Sequence, residues 1–260
     1  MSAPRLEATG LVKRFGGVQA VREVSFSVAA GEAVALIGAN GAGKTTTFNL
    51  LNGQLRPDRG SVRLDGRDIT ALSPAERFHV GIARTFQITA NFLSMRVIDN
   101  VLLALASREG WAWALRYAFA RRGAHEDRAR ALLARLGLER LAEAPCAALA
   151  YGDLKRLELA VALAGAPRVL LMDEPTAGMS GEERGALMQL ARETARREGL
   201  ALLFTEHDMD VVFGYADRIL VMHRGRLIAD GPPEAVAADA TVREVYLGGS
   251  PIATAAEAAP

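Results

Sequence analysis

Gly38-Ala39-Asn40-Gly41-Ala42-Gly43-Lys44-Thr45-Thr46 decides how the rest of the chain is read. It fits G-x-x-x-x-G-K-[ST] and follows Ala33 to Ile37, a short apolar run of the kind found in a strand buried on both faces. Helical residues, Thr45 to Asn52, come next. Strand, glycine-rich turn and helix are the context in which successive backbone N–H groups wrap phosphate oxygens. Lys44 then supplies a point charge to the β- and γ-phosphates, and Thr45 a hydroxyl for Mg²⁺. A tight strand–helix turn alone would explain the glycines but not the lysine. The segment therefore predicts nucleotide binding within a parallel α/β sheet.

Outward from this loop, the strand pattern recurs. Arg5 to Leu11 and Glu23 to Val28 read as strands, with a turn at Gly16-Gly17, and Ser61 to Asp65 and Ile82 to Phe86 as further strands. Arg168 to Met172 and Leu200 to Thr205 are strands joined by a crossover helix over Gly181 to Arg197. Asp217 to Met222 and Arg226 to Ala229 form a hairpin around His223 to Gly225. From Val97 to about Leu163 the chain is rich in Ala, Leu and Arg at helical spacing, which predicts a mostly helical insert. Its aromatic run, Trp111 to Phe119, fits either a helix packed in a core or a surface that docks another protein. The tail from Gly248 is small-residue and Pro-containing and reads as mobile. No repeat is present, so the chain holds one such unit, not two.

Composition narrows the function. The 260 residues carry 31 Lys plus Arg against 30 Asp plus Glu, and half of them are hydrophobic. That excludes overall disorder and argues against nucleic-acid binding through a large basic field. The best candidate for a membrane span, Val97 to Ala106, is too short and contains Asp99 and Asn100. The opening MSAPRLEATG lacks the apolar core of a signal peptide. The single cysteine, Cys146, reads as a buried, idle thiol in a protein of a reducing compartment.

Two more segments carry chemistry. Val169 to Met172 is an apolar strand ending in Asp173-Glu174. Such an ending is common alone. Beside a phosphate loop, Asp173 is placed to hold Mg²⁺ through water and Glu174 to polarise the attacking water. Thr205-Glu206-His207-Asp208 follows another strand, and His207 at its C-terminal edge can reach a γ-phosphate. Alone, such a histidine is more often a structural hydrogen-bonder.

These pieces and their order resemble the ATP-binding cassette (ABC) family over residues 5–247. The stretches KRFGGVQAV (13–21), RTFQ (84–87), LAYGDLKRLELA (149–160), DEPTAGM (173–179), TEHDMDVV (205–212) and VREVYLG (242–248) are similar to the branched-chain amino-acid uptake ATPases of that family. The resemblance implies a P-loop NTPase core at 5–96 and 164–247 with an N-terminal antiparallel β subdomain. It also implies a helical subdomain at 97–163 and a tail at 248–260. Phe15 is implied to stack on adenine, its alternative being a core aromatic. Gln87 is implied to ligate Mg²⁺ and to sense the γ-phosphate. Ala150, Tyr151, Gly152 and Asp153 stand in the signature segment that completes the ATP site of a paired cassette.

The implied partners are a second ABC ATPase, two transmembrane permeases reached through Gln87 and Val97 to Phe119, and indirectly a substrate-binding protein, with no nucleic acid. The implied location is peripheral, on the cytoplasmic face of the inner membrane. A lipopolysaccharide-export ATPase and a soluble non-transport cassette stay open as alternatives. The signature departs from L-S-G-G-Q: Ala150 replaces the serine, Tyr151 and Asp153 replace Gly and Gln, and Ser180 stands where many cassettes have Asp. Asp153 is expected to cap a helix beginning near Leu154, with Lys155 and Arg156 offsetting its charge. An asymmetric pair with a different ATPase follows as the expectation, a pair of two copies of this chain being the alternative.

Overall fold

The computed structural model describes residues 4–85, 91–108 and 122–245. Gln87, the aromatic run 111–119 and the tail from 248 lie outside these residues. Strands β1 (Pro4–Phe15) and β2 (Val18–Ala29) form the expected hairpin, which pairs with β4 (Arg59–Leu64) and the short β5 (Arg67–Asp68) in the order β2-β1-β4-β5, all antiparallel.

The second sheet holds β3 (Ala33–Gly38), β6 (Ile82–Thr85), β7 (Val169–Asp173), β8 (Ala201–Thr205), β9 (Arg218–His223) and β10 (Arg226–Gly231). Their order is β10-β9-β3-β8-β7-β6, parallel except for the edge strand β10. Alternation along β3 explains its continuous apolar run. Ala33, Ala35 and Ile37 enter one core, and Val34 and Leu36 the other. β7 and β8 divide their side chains in the same way. One core lies between the two sheets, around α1 (Lys44–Leu51), and includes Phe48, Leu50 and Leu51. The other includes residues of α3 (Val97–Arg108), α4 (Arg122–Arg135), α5 (Tyr151–Ala164) and the crossover helix α6 (Gly181–Glu198). Helices α3, α4 and α5 pack on one another, as the helical spacing of this stretch predicts. Cys146 is buried, its thiol pushed above the usual cysteine value by that burial and contacted at 3.2 Å by the Asn100 amide.

Four helices escaped the sequence reading: α2 (Pro74–Val80), α7 (Met209–Tyr215), α8 (Pro233–Ala238) and α9 (Ala240–Val245). For α2 a signal exists in S-P-A-E. Ser73 and Glu76 form a capping box, with Pro74 in the first turn. The helix also places Arg77, only 1 % exposed, beneath the phosphate-loop helix. Its guanidinium donates to the Leu50 (2.6 Å), Leu51 (2.7 Å), Thr70 (2.9 Å) and Leu72 (3.1 Å) carbonyls. The first two are at the C-terminal end of α1, where a cation offsets the helix dipole. Burial pushes this guanidinium down to about 10. Arg77→Met is expected to orphan these carbonyls and to lower the free energy of unfolding by about 3 kcal/mol. Chemical denaturation checks this, and an unchanged midpoint contradicts it.

Candidate functional site

The C-terminal tips of β3, β7 and β8 carry the phosphate loop, Asp173-Glu174 and His207. At the tip of β3 the chain turns through Gly38, Gly41 and Gly43, with φ of +154°, +78° and +108°. Side chains are excluded sterically at two of them. A Cβ on Gly38 would come within 2.3 Å of the Met222 carbonyl oxygen, and one on Gly43 within 2.6 Å of the Ala20 carbonyl oxygen. Ala42 accepts from the Gly225 N–H at 2.8 Å, and Gly225 accepts from the Arg22 N–H at 2.7 Å, which ties the loop to both sheets. The backbone N–H groups of Asn40, Gly41 and Gly43 have no acceptor among the described residues. Ala39, Asn40, Gly41 and Thr45 are exposed, and Thr46 is half-buried. This is a cradle of outward donors at the start of a helix, suited to phosphate.

Lys44 is buried and folds back, donating to Gly38 O at 2.6 Å and to Ala39 O at 3.3 Å. Burial pushes its ammonium below the ordinary lysine value, while the Glu174 and Asp173 charges pull the other way.

Asp173 ends β7. Its Oδ1 accepts from Thr205 Oγ1 at 2.8 Å, and its Oδ2 pairs with Arg84 at 2.7 Å. Glu174 sits at φ +47°, a left-handed conformation uncommon for a non-glycine residue. Its N–H reaches both the carbonyl and the hydroxyl of Thr205 at 3.1 Å. Its Oε1 lies 2.8 Å from His207 Nε2. The turn after β7 is held by buried Glu206, which accepts from Thr176 N at 2.8 Å and from Thr176 Oγ1 at 2.7 Å. Strain of this kind persists only where surrounding bonds over-determine it, and here they do. Among the described residues no group of three or more His, Cys, Asp or Glu could hold a metal alone. A carboxylate at a strand tip with a hydroxyl at the helix start suits a hard cation whose remaining ligands are phosphate oxygens and water.

The signature segment corrects two expectations. Ala150, not Asp153, is the N-cap of α5, and it makes no side-chain cap bond. The helix begins at Tyr151, one turn before the expected start, so Asp153 falls inside the first turn. There it pairs with Arg156 at 3.6 Å. Lys155 does not offset it, because that ammonium is buried and pairs with Glu158 at 3.3 Å. Tyr151 is exposed at its ring, yet its hydroxyl donates to Ala177 O at 3.0 Å. Gly152 is packed against Glu183, whose Oε1 a Cβ would meet at 2.7 Å. Ser180 is the N-cap of α6 in a capping box with Glu183. Phe15 is 48 % exposed, which excludes the core-aromatic alternative, and the Lys13 ammonium lies 5.8 Å from its ring. Thus Lys44, Asp173, Glu174 and His207 are brought together. The signature segment bonds to the turn after Glu174 and not to the phosphate loop. Sequence reasoning missed Arg84, Thr205 and the bond from Tyr151 to Ala177, because nothing in a sequence pairs residues on different strand tips.

The chain belongs to the ABC transporter family: the family model described as "ABC transporter" matches residues 21–177, and that described as "Branched-chain amino acid ATP-binding cassette transporter" matches 226–251. It is an ATP-binding cassette, the ATPase class of that family. It is 40 % identical over 253 residues to the high-affinity branched-chain amino acid transport ATP-binding protein LivG of Salmonella typhimurium, covering 95 % of this chain and 99 % of that protein. It is 38 % identical to the lipopolysaccharide export system ATP-binding protein LptB of Acidithiobacillus ferridurans, covering 94 % and 96 %. Among solved structures, the ADP conformation of an ATP-binding cassette of an ABC transporter matches with a TM-score of 0.84 and 33 % identity, over 95 % of this chain and all of that one.

The bare N-cap at Ala150 has a direct consequence. Ala150→Ser is expected to raise the free energy of unfolding by about 1 kcal/mol, through a hydroxyl that accepts from an N–H of the first turn. Denaturation of the isolated chain checks this. No gain would contradict the cap geometry.

Proposed function

We propose that this chain is the ATPase subunit of an importer of branched-chain or related amino acids, acting at the cytoplasmic face of the membrane. The observation that carries the reading is Glu174, held beside His207 at the tip of a buried strand, with its charge and that of Asp173 acting on Lys44. Among the described residues no helix is long and apolar enough to cross a membrane. The match at 226–251 to the branched-chain model favours the importer over the export reading.

Residues Gly38, Ala39, Asn40, Gly41, Ala42, Gly43, Lys44, Thr45 and Thr46 take the phosphates, and Phe15 covers the adenine. On nucleotide binding Lys44 exchanges its loop carbonyls for β- and γ-phosphate oxygens. Thr45, Gln87 and, through water, Asp173 would hold Mg²⁺, and the ion would supply positive charge to the phosphates. Glu174 takes the proton of the attacking water, and His207 holds both the Glu174 carboxylate and the γ-phosphate. The left-handed backbone at Glu174 fixes where that carboxylate points, as positioning for in-line attack requires.

Ala150, Tyr151, Gly152 and Asp153 complete the ATP site of a second cassette. Without a serine hydroxyl at 150 that site loses a hydrogen bond to a charged group, of about 1.5–3 kcal/mol. A second copy of this chain would repeat that loss at both sites; paired with a different ATPase, the loss falls on one site only and the pair is asymmetric. An apolar cavity of about 320 Å³ between the parallel sheet and helices α3 and α5, bordered by Phe78, Phe92, Leu103 and Val161, is the surface offered to the permease. Phe92 and the adjoining Leu93 are exposed there.

Glu174→Gln is expected to keep ATP affinity and to lower hydrolysis by about 10²–10⁴-fold, the range for loss of a positioned base. Nucleotide-binding and phosphate-release assays on the paired cassettes check this. Undiminished turnover would remove Glu174 from its role.

A further inference from the structure

The N-terminal ends of the parallel strands, opposite the phosphate loop, border a second cavity of about 370 Å³, which is polar and open to solvent. Its charged walls come from four separate places. Arg67 comes from β5, His79 from the last turn of α2, Arg108 from the end of α3, and Arg168 from the residue before β7. Asp65 is the one carboxylate on the wall, and it is already shared between Arg168 at 2.7 Å and Arg5 at 3.1 Å. Arg108 donates to the Ala166 carbonyl at 3.0 Å through one of its nitrogens. The Arg67 side chain has no partner among the described residues. Three guanidiniums thus line the cavity around a single carboxylate that Arg5 also shares from outside it, and most N–H donors of Arg67, Arg108 and Arg168 have no protein acceptor among the described residues.

The floor is built closely. Gly81 accepts from the Arg168 N–H at 2.7 Å and from the Val169 N–H at 3.0 Å, and a Cβ on Gly81 would stand 3.1 Å from Arg168 Cγ. Solvated arginines on a convex face repel one another at little cost. Around one concavity the same charges raise each other's energy unless an anion joins them. Planar guanidinium forks match tetrahedral oxyanions, which they grip through paired N–H donors.

We propose that this cavity is a binding site for a phosphate-bearing anion, held by Arg67, Arg108 and Arg168. The site is separate from the nucleotide site and does not depend on it. A soluble phosphate and the headgroup of an anionic lipid present the same chemistry, and the test separates them.

The full chain is saturated with ADP to fill the phosphate loop and titrated calorimetrically with pyrophosphate. In parallel it is sedimented with phosphatidylcholine vesicles with and without phosphatidylglycerol. The Arg67→Gln/Arg108→Gln variant is expected to lose at least about tenfold in affinity, as two charge-assisted donors are removed. Arg67→Gln alone, at a side chain without partners, gives a folded control that must also weaken binding if the double variant fails to fold. Pyrophosphate binding that depends on these arginines assigns a soluble ligand. Sedimentation that needs both phosphatidylglycerol and the arginines assigns a lipid headgroup. Absence of both signals overturns the proposal, and so does binding that is undiminished in the variants.

Discussion

The parallel strands β3, β7 and β8 are buried on both faces, and this constraint organises the whole molecule. A chain segment between two apolar cores cannot carry a polar side chain along its length without an unmatched desolvation cost. Polar chemistry is therefore displaced to the strand tips. Gly38, Asp173 and Thr205 end three strands that are consecutive in the order β3-β8-β7, so a shared edge collects residues far apart in sequence. Thr205, on the middle strand, bonds both Asp173 and the Glu174 N–H, and it joins the tips of β7 and β8 beside the phosphate loop.

The same constraint explains why the site is rigid on one side and strained on the other. The phosphate loop is fixed by contacts that exclude any side chain at Gly38 and Gly43. The helix leaving it is closed from below by Arg77. The turn after β7 instead holds Glu174 in a left-handed conformation, locked by Glu206 and Thr176. Tyr151 reaches this turn from the start of α5. The segment proposed to serve a paired cassette is thus bonded to the turn that holds Glu174, the proposed general base.

Much of this is legible in the sequence where local rules act. The run Ala33 to Ile37, the G-x-x-x-x-G-K-T spacing and the apolar strand ending in Asp173-Glu174 each follow from burial and backbone sterics within a few residues. The hairpin at Gly16-Gly17 and the crossover helix at 181–198 are equally local. What escaped is long-range or short. Arg84 pairs with Asp173 across neighbouring strands, and no pattern in either segment announces it. The helix start at Tyr151 defeats the capping argument, because Ala150 takes the N-cap with no side chain to offer. The four missed helices are 6 or 7 residues long, too short for a periodic apolar face. One of them, α2, supplies the most deeply buried arginine among the described residues.

The account stands on the chain working as half of an ATP-closed pair on a permease. The most direct measurement is to trap the tagged Glu174→Gln protein with ATP and Mg²⁺ in its own host and to identify by mass spectrometry what co-purifies from solubilised membranes. The account predicts a second, different cassette and two polytopic permease chains, retained with ATP and released with ADP. Recovery of soluble partners alone would contradict it.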